Sequence, residues 1–307
     1  MGLTAAAAVA LAVVLDAAVG EPPTRVHPVA WFGRLVAPFD REWTHPLAVG
    51  ASVALVLPFA AALAVGGLVA LAGRIAPELA AAVAGLALFA ASSRRMLLRE
   101  ARAVVDGTET DLDAARGRLR SLAGRDAADL SAGQVRSAAV ESAAENLADG
   151  LVAPLLAFAV GAFVSLPVAA GAAAWVKGVN TLDSMLGYRE KRVGTPSARL
   201  DDAVMWLPAR ASAALLAVAG GRPGALSAAR AWLDGVPSPN SGWPMGVLAA
   251  TAGVRLEKPG AYVLNPDSPL PTTETSRSAI RTVGVAGVLT YLLAAGTLAL
   301  TEGIAWS

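Results

Sequence analysis

Long apolar runs alternate with shorter charged stretches along this chain. Runs able to cross about 30 Å of hydrocarbon, which takes about 20 helical residues, are 47–72, 79–98 and 283–300. Only residues 73–78, with Pro77, separate the first two, so a tight antiparallel helical hairpin is predicted. Residues 3–19 form a marginal fourth span. No basic residue precedes them and Asp16 lies near their end, a poor signal peptide, so a retained helix is expected. The run 151–176 is long but interrupted. Pro154 cannot donate to the Gly150 carbonyl, and Pro167 breaks the middle at 165–167.

The charged stretches orient these runs. Arg94, Arg95, Arg99 and Arg102 follow the second run, and Arg116, Arg118, Arg120, Arg125 and Arg136 continue the segment. After the interrupted run come Lys177, Arg189, Lys191, Arg192 and Arg199. Both segments read as cytoplasmic by the positive-inside rule. One straight span between them would put them on opposite faces. A re-entrant hairpin of two half-length helices turning at 165–167 puts them on the same face and is the expectation here.

Farther on, 203–220 has only a short clean apolar core around Trp206, Pro208 and Arg210, and is not counted as a span. Residues 222–234 are amphipathic and expected at the membrane surface. Residues 236–271, rich in Pro, Gly and Asn, read as ordered loop with a short helix near 245–252. The expected fold is all-α: a polytopic integral membrane protein with about four spans, a re-entrant helical hairpin and cytoplasmic polar segments. Residues 1–307 are expected to form a single membrane-embedded domain.

Composition sharpens this. The chain is 55% hydrophobic and only 16% charged, against about 25% charged in ordinary soluble domains, and its mean hydropathy is +0.54. A net charge of +1 argues against a nucleic-acid partner. With no Cys and two His, disulfides, thiolate nucleophiles, Fe–S clusters and multi-histidine metal centres are excluded. Any metal must be bound by oxygen, which suits Mg²⁺.

Five clusters carry candidate chemistry. In ESAAENLAD, Glu141, Glu145 and Asp149 fall at i, i+4 and i+8, stacking three carboxylates on one helical face. Like charges so spaced repel by about 0.2–0.5 kcal/mol per exposed pair. No Lys or Arg lies between Arg136 and Lys177 to relieve them, so a cation from elsewhere, a metal ion or distant basic side chains, is expected. In KGVNTLDSMLGYRE, Lys177, Asn180, Thr181 and Ser184 share one face, with Asp183 off that stripe. SARLDDAVMWLPAR sets Asp201 and Asp202 between Arg199 and Arg210, PSPNSGWP is a shaped loop, and residues 16–34 hold GEPP, His27-Pro28 and Gly33-Arg34.

Each cluster also has an ordinary structural reading. Asp201 and Asp202 would suit a helix N-terminus, Arg94 and Arg95 a topology signal, His27 and His45 a turn and an interface, and 99–136 a solvated helical hairpin. Neither a GxxxxGK[ST] loop nor a GxGxxG turn occurs, so any ATP site is of another kind. A broken helix with carboxylates also suits an ion-coupled carrier. The clustering of charge on one predicted face and the lack of an inverted repeat weigh against that. A non-catalytic scaffold would leave the carboxylates unexplained.

Taken in order, GEPP…HPVAWFGRL, ESAAENLADGLVAPLL, KGVNTLDSMLGYRE, SARLDDAVMWLPAR and SPNSGWP…GVRLEKPGAY resemble the adenosylcobinamide-phosphate synthase family of cobalamin biosynthesis, the CobD/CbiB family. The blocks run from about Asp16 to Tyr262. Glu21 stands where the family usually has Asp, and Met205 where Asn is common. The resemblance implies a multi-pass ligase of the cell membrane with its site facing the cytoplasm. It would join a propionate carboxylate of adenosylcobyric acid to aminopropanol or its O-phosphate, with ATP as co-substrate. Other late cobalamin-pathway membrane enzymes would be its neighbours. Such chemistry needs charge neutralisation and positioning. Glu141, Glu145, Lys177 and Asp183 are the catalytic candidates, and Glu141, Glu145 and Asp149 the candidate Mg²⁺ ligands. His27, Asn146, Asn180, Arg199, Asp201, Asp202, Arg210 and Asn240 are the candidates for binding substrate.

Overall fold

A computed structural model describes residues 2–123, 127–188 and 190–305; Arg125 and Arg189 of the basic segments lie outside the described residues. In chain order the helices are α1 (Gly2–Ala18), α2 (Pro28–Val36), α3 (Pro46–Gly73), α4 (Pro77–Ala91), α5 (Arg95–Thr110), α6 (Leu112–Ala123) and α7 (Ala132–Leu147). After a π-helical turn, Ala148–Val152, come α8 (Ala153–Ala162), α9 (Leu166–Leu186), α10 (Thr195–Val204), α11 (Trp206–Ala219), α12 (Ala225–Arg230) and α13 (Gly242–Ala252). A short antiparallel hairpin, β1 (Leu256–Lys258) and β2 (Tyr262–Leu264), precedes α14 (Thr273–Ala305). The fold is all-helical apart from that hairpin, which lies in the stretch expected to be loop.

By length and composition, four helical stretches can cross a membrane: Pro46–Gly73, Pro77–Thr110, Ala132–Ala162 and Thr273–Leu300. A bent pair, Arg192–Val204 with Trp206–Ala219, could add a fifth. Ala132–Ala162 is a candidate span, and the N-terminal helix is a shorter apolar one. At 17 residues, α1 rises about 25 Å, short of the hydrocarbon thickness. The chain is an integral membrane protein with several candidate spans.

The chain divides into two compact units, each assembled from discontinuous stretches. The first comprises Met1–Ser93, Asp149–Met205 and Thr290–Ser307. In it α1 packs on α4 through Ala5, Ala8, Val9 and Ala12. The hairpin α8–α9 turns at residues 163–165, where Ser165 caps α9 and Pro167 sits in its first turn. Its second arm is no half-helix: α9 has 21 residues, about 31 Å of rise. The arms nearly touch, since a Cβ on Gly161 would come within 2.7 Å of the Ala169 Cα. Against α3 and α2, the far end of α9 buries Leu182 and Leu186 with Val36 and Val53.

The second unit comprises Arg94–Ala148 and Trp206–Leu289. Within it α7 opens with a capping box, Ser131 Oγ accepting from Gln134 N at 3.4 Å and Gln134 Oε1 from Ser131 N at 2.9 Å. Arg136 on the same helix donates to Pro271 O at 2.8 Å and Thr108 Oγ1 at 2.9 Å. The surface segment at 222–234 is helical only over α12.

Candidate functional site

Most of the polar residues singled out in the first unit converge around Lys177. Asn180, one turn along α9, lies beside Asp149, on which the charges of Asp201, Lys177 and Asp183 act. Lys177 in turn has Asp149 and Glu21 beside it, and Asp183 has Asp202. Asn180 is buried and Asp149, Lys177, Asp183, Asp201 and Asp202 are half-buried. Lys177, Asn180 and Asp183 follow one another at three-residue steps, a line that drifts slowly around α9. The other polar residues of the expected stripe are satisfied by the helix itself: Thr181 Oγ1 donates to Lys177 O at 2.7 Å and Ser184 Oγ to Asn180 O at 2.9 Å.

His27 closes this cluster from the N-terminal side. Its Nδ1 accepts from Val29 N at 3.2 Å and so caps α2. Burial lowers its pKa from 6.5, with Glu21 raising and Lys177 lowering it to smaller extents. The turn reading of His27 is thus realised, and within the cluster. Asp201 and Asp202 lie well inside α10 and not in its first turn, so the N-terminal reading gives way to membership of the cluster. Arg199 is exposed on α10. Glu21 is the member that was not singled out.

The three carboxylates of the expected stack fall on two elements. Glu141 and Glu145 lie on α7 and Asp149 in the π-helical turn that follows it. Glu141 has other partners: it is fully buried, and its oxygens accept from Ser137 Oγ and Tyr262 OH, each at 2.9 Å. Ser137 Oγ also accepts from Glu257 N at 2.8 Å, so Glu141 anchors the β-hairpin to α7 in the second unit. Glu145 is half-buried, and Asn146 donates to Ser142 O at 3.0 Å. Among the described residues no three His, Asp or Glu side chains come together closely enough to hold a metal ion. Glu141, Glu145 and Asp149 are therefore not a preformed Mg²⁺ cage.

Arg210 and Asn240 do meet in the second unit. Arg210 Nη1 donates to Asn240 Oδ1 at 2.9 Å and to Trp206 O at 2.7 Å. Its guanidinium lies 4.4 Å from the Trp206 ring centre and 5.4 Å from that of Trp243. The fork is occupied in shaping the 237–244 loop, a cation–π arrangement that the loop composition alone did not reveal.

A sequence model described as CobD/Cbib protein matches residues 9–292. The chain belongs to the CobD/CbiB family. It is 35% identical to "Probable cobalamin biosynthesis protein CobD" of Methanothrix thermoacetophila, over 93% of this chain and 94% of that protein. "Cobalamin biosynthesis protein CobD" of Klebsiella pneumoniae is 36% identical over 81% of each chain. "Cobalamin biosynthesis protein CbiB" of Salmonella typhimurium is 36% identical over 82% of each. No solved structure matches significantly. Membership in the CobD/CbiB family makes this a cobalamin biosynthesis protein, and the Lys177 cluster lies wholly within the matched region.

Proposed function

We propose that this protein is a membrane ligase that forms an amide between a corrin propionate of adenosylcobyric acid and aminopropanol O-phosphate, with ATP as co-substrate. The observation that carries the reading is Lys177, in a mostly apolar helix, with the charges of Asp149 and Glu21 acting on it and Asn180 and Asp183 along the same helix. Ionisable groups in such surroundings are costly and mark sites of chemistry. A carboxylate is a poor acyl donor, so a phosphoryl group is first transferred to its oxygen, giving an acyl phosphate and ADP. The amine nitrogen then attacks the carbonyl carbon, the C–O bond to phosphate breaks, and inorganic phosphate leaves.

Lys177 neutralises phosphate oxygens in this scheme, a role for a point charge with rotatable donors. Asp183, next to Asp202, takes the proton that the attacking amine releases. Asn180 holds Asp149 in place, and His27 closes the cluster next to Lys177. Mg²⁺ enters with the nucleotide phosphates, as it commonly does, and no step depends on a protein cage. The site is proposed to face the cytoplasm, where nucleotide and corrinoid are supplied.

Protein in detergent, given adenosylcobyric acid, aminopropanol phosphate, ATP and Mg²⁺, is expected to yield a corrinoid heavier by the aminopropanol phosphate unit. One ADP should form per product. Lys177→Met and Asp183→Asn should each lower turnover by at least a hundredfold with the fold intact. Folded protein that makes no product in detergent but moves unaltered corrinoid across proteoliposomes would sink the ligase in favour of a carrier.

A further inference from the structure

An apolar cavity adjoins the polar cluster within the first unit. α2, α3, α4 and α9 enclose about 390 Å³, at the small end of ligand pockets. Phe32, Val65, Leu68, Val83, Ala87 and Ala174 form much of the wall, and Lys177 and Thr181 supply its polar side chains. The Thr181 hydroxyl already donates to Lys177 O at 2.7 Å. So apolar a wall gives water few partners, and cavities of that kind stay dry or take apolar guests.

The helix contacts give the cavity an axis. Antiparallel to α3, α9 sets Gly178 against Pro58 and Gly171 against Ala62, where added Cβ atoms would lie 3.2 Å from Pro58 Cα and 2.9 Å from Ala62 O. Lys177 therefore lies near the level of Pro58, and the far end of the cavity is at Leu68, about 15 Å along the helix. Trp31, Leu68 and Leu86 on the rim are exposed, and Leu55, Val56, Phe59, Leu63 and Leu71 extend that exposed apolar face along α3. α3 is a candidate span and α4 begins another. A mouth on the outward apolar face of such helices opens to hydrocarbon, not to water.

We propose that one acyl chain of a phospholipid from the surrounding bilayer occupies this cavity, lying along α3 and α4 with Ala174 and Phe32 behind it. The chain borders Lys177 on its cavity side and fills the space beside the ammonium. Any bearing of this on catalysis rests on the function proposed above; occupancy of the cavity does not.

Native mass spectrometry of the full chain, released from mild detergent, reads the occupancy directly. The wild type is expected to retain one phospholipid. Ala174→Phe and Ala87→Phe fill the cavity from opposite walls, and each should lower the retained fraction at least tenfold. Ala60→Phe, on the exposed face of α3 outside the cavity, should retain the lipid as the wild type does. Helix content by circular dichroism confirms that the filled variants are folded. Equal retention in wild type and both filled variants overturns the proposal, as does folded wild type that carries only detergent. Lipid retained by a protein that makes no amide product would refute the ligase and leave the lipid seat standing.

Discussion

Removing the Tyr262 hydroxyl tests whether Glu141 is an anchor or a catalyst. In the second unit Gln134 Nε2 of α7 donates to Glu257 Oε1 of the β-hairpin at 3.0 Å, and two of the other ties between these elements share Glu141. Tyr262 OH donates to one carboxyl oxygen at 2.9 Å, and Ser137 Oγ, which donates to the other at 2.9 Å, receives Glu257 N at 2.8 Å. Tyr262→Phe keeps the ring and removes one donor from a fully buried carboxyl group. Leaving a buried acceptor short of its donor costs about 1–3 kcal/mol. Local opening of the hairpin should become easier by the same amount, which is about 5- to 150-fold faster amide exchange. Hydrogen–deuterium exchange across 256–264 reads this segment without requiring global unfolding. Ser137→Ala should loosen the same segment, and the double variant should fall short of the sum, because both bonds end on one carboxyl group. Turnover should drop by less than tenfold in Tyr262→Phe. Unchanged exchange with turnover lowered a hundredfold would return Glu141 to the chemistry and refute this account.

Two further outcomes follow from other elements. Burial lowers the His27 pKa below 6.5, so the folded protein resists protonation more than the unfolded chain does. The stability His27 contributes is therefore complete above about pH 6.5 and lost as pH falls through its folded pKa. A melting series from pH 5 to 8 should show this slope, and His27→Asn, which can still cap α2, should flatten it; an unchanged slope would show that another group titrates there. For the proposed orientation, cysteines at Asp113 and Arg192, both exposed, should react with impermeant maleimide in inside-out vesicles and stay unreactive in intact cells. Reaction of either in intact cells would contradict a cytoplasmic site.

The apolar pattern made most of the fold legible, because span length and proline placement are local properties. Pro77, Pro154 and Pro167 marked the beginnings of α4, α8 and α9. The N-terminal run was over-read because composition does not count the few residues by which it falls short. The π-helical turn was invisible because nothing in ADGLV announces a wider winding. Lys177, Asn180 and Asp183 were legible as a polar line on an apolar helix. Tyr262 was not, since its bond to Glu141 crosses 121 positions of sequence and depends on a hairpin of two three-residue strands. The second tryptophan partner of Arg210, Trp243, was not legible, because it lies on α13 while Trp206 shares α11 with the arginine.

The discontinuous make-up of the first unit bears on how the chain is born. Its opening stretch, Met1–Ser93, leaves the ribosome early, yet the unit also requires Asp149–Met205 and the segment from Thr290 onward. Domains that fold as the chain emerges do so once their own segments are out. Here the stretch synthesised first must wait for the last one, with about two hundred residues inserted in between. Glu21 and His27 therefore meet Lys177 only after residues 94–148 of the other unit have been made. Until then the nascent helices stand open in the insertion machinery, and a ribosome stalled before residue 290 leaves a bundle missing one of its three parts.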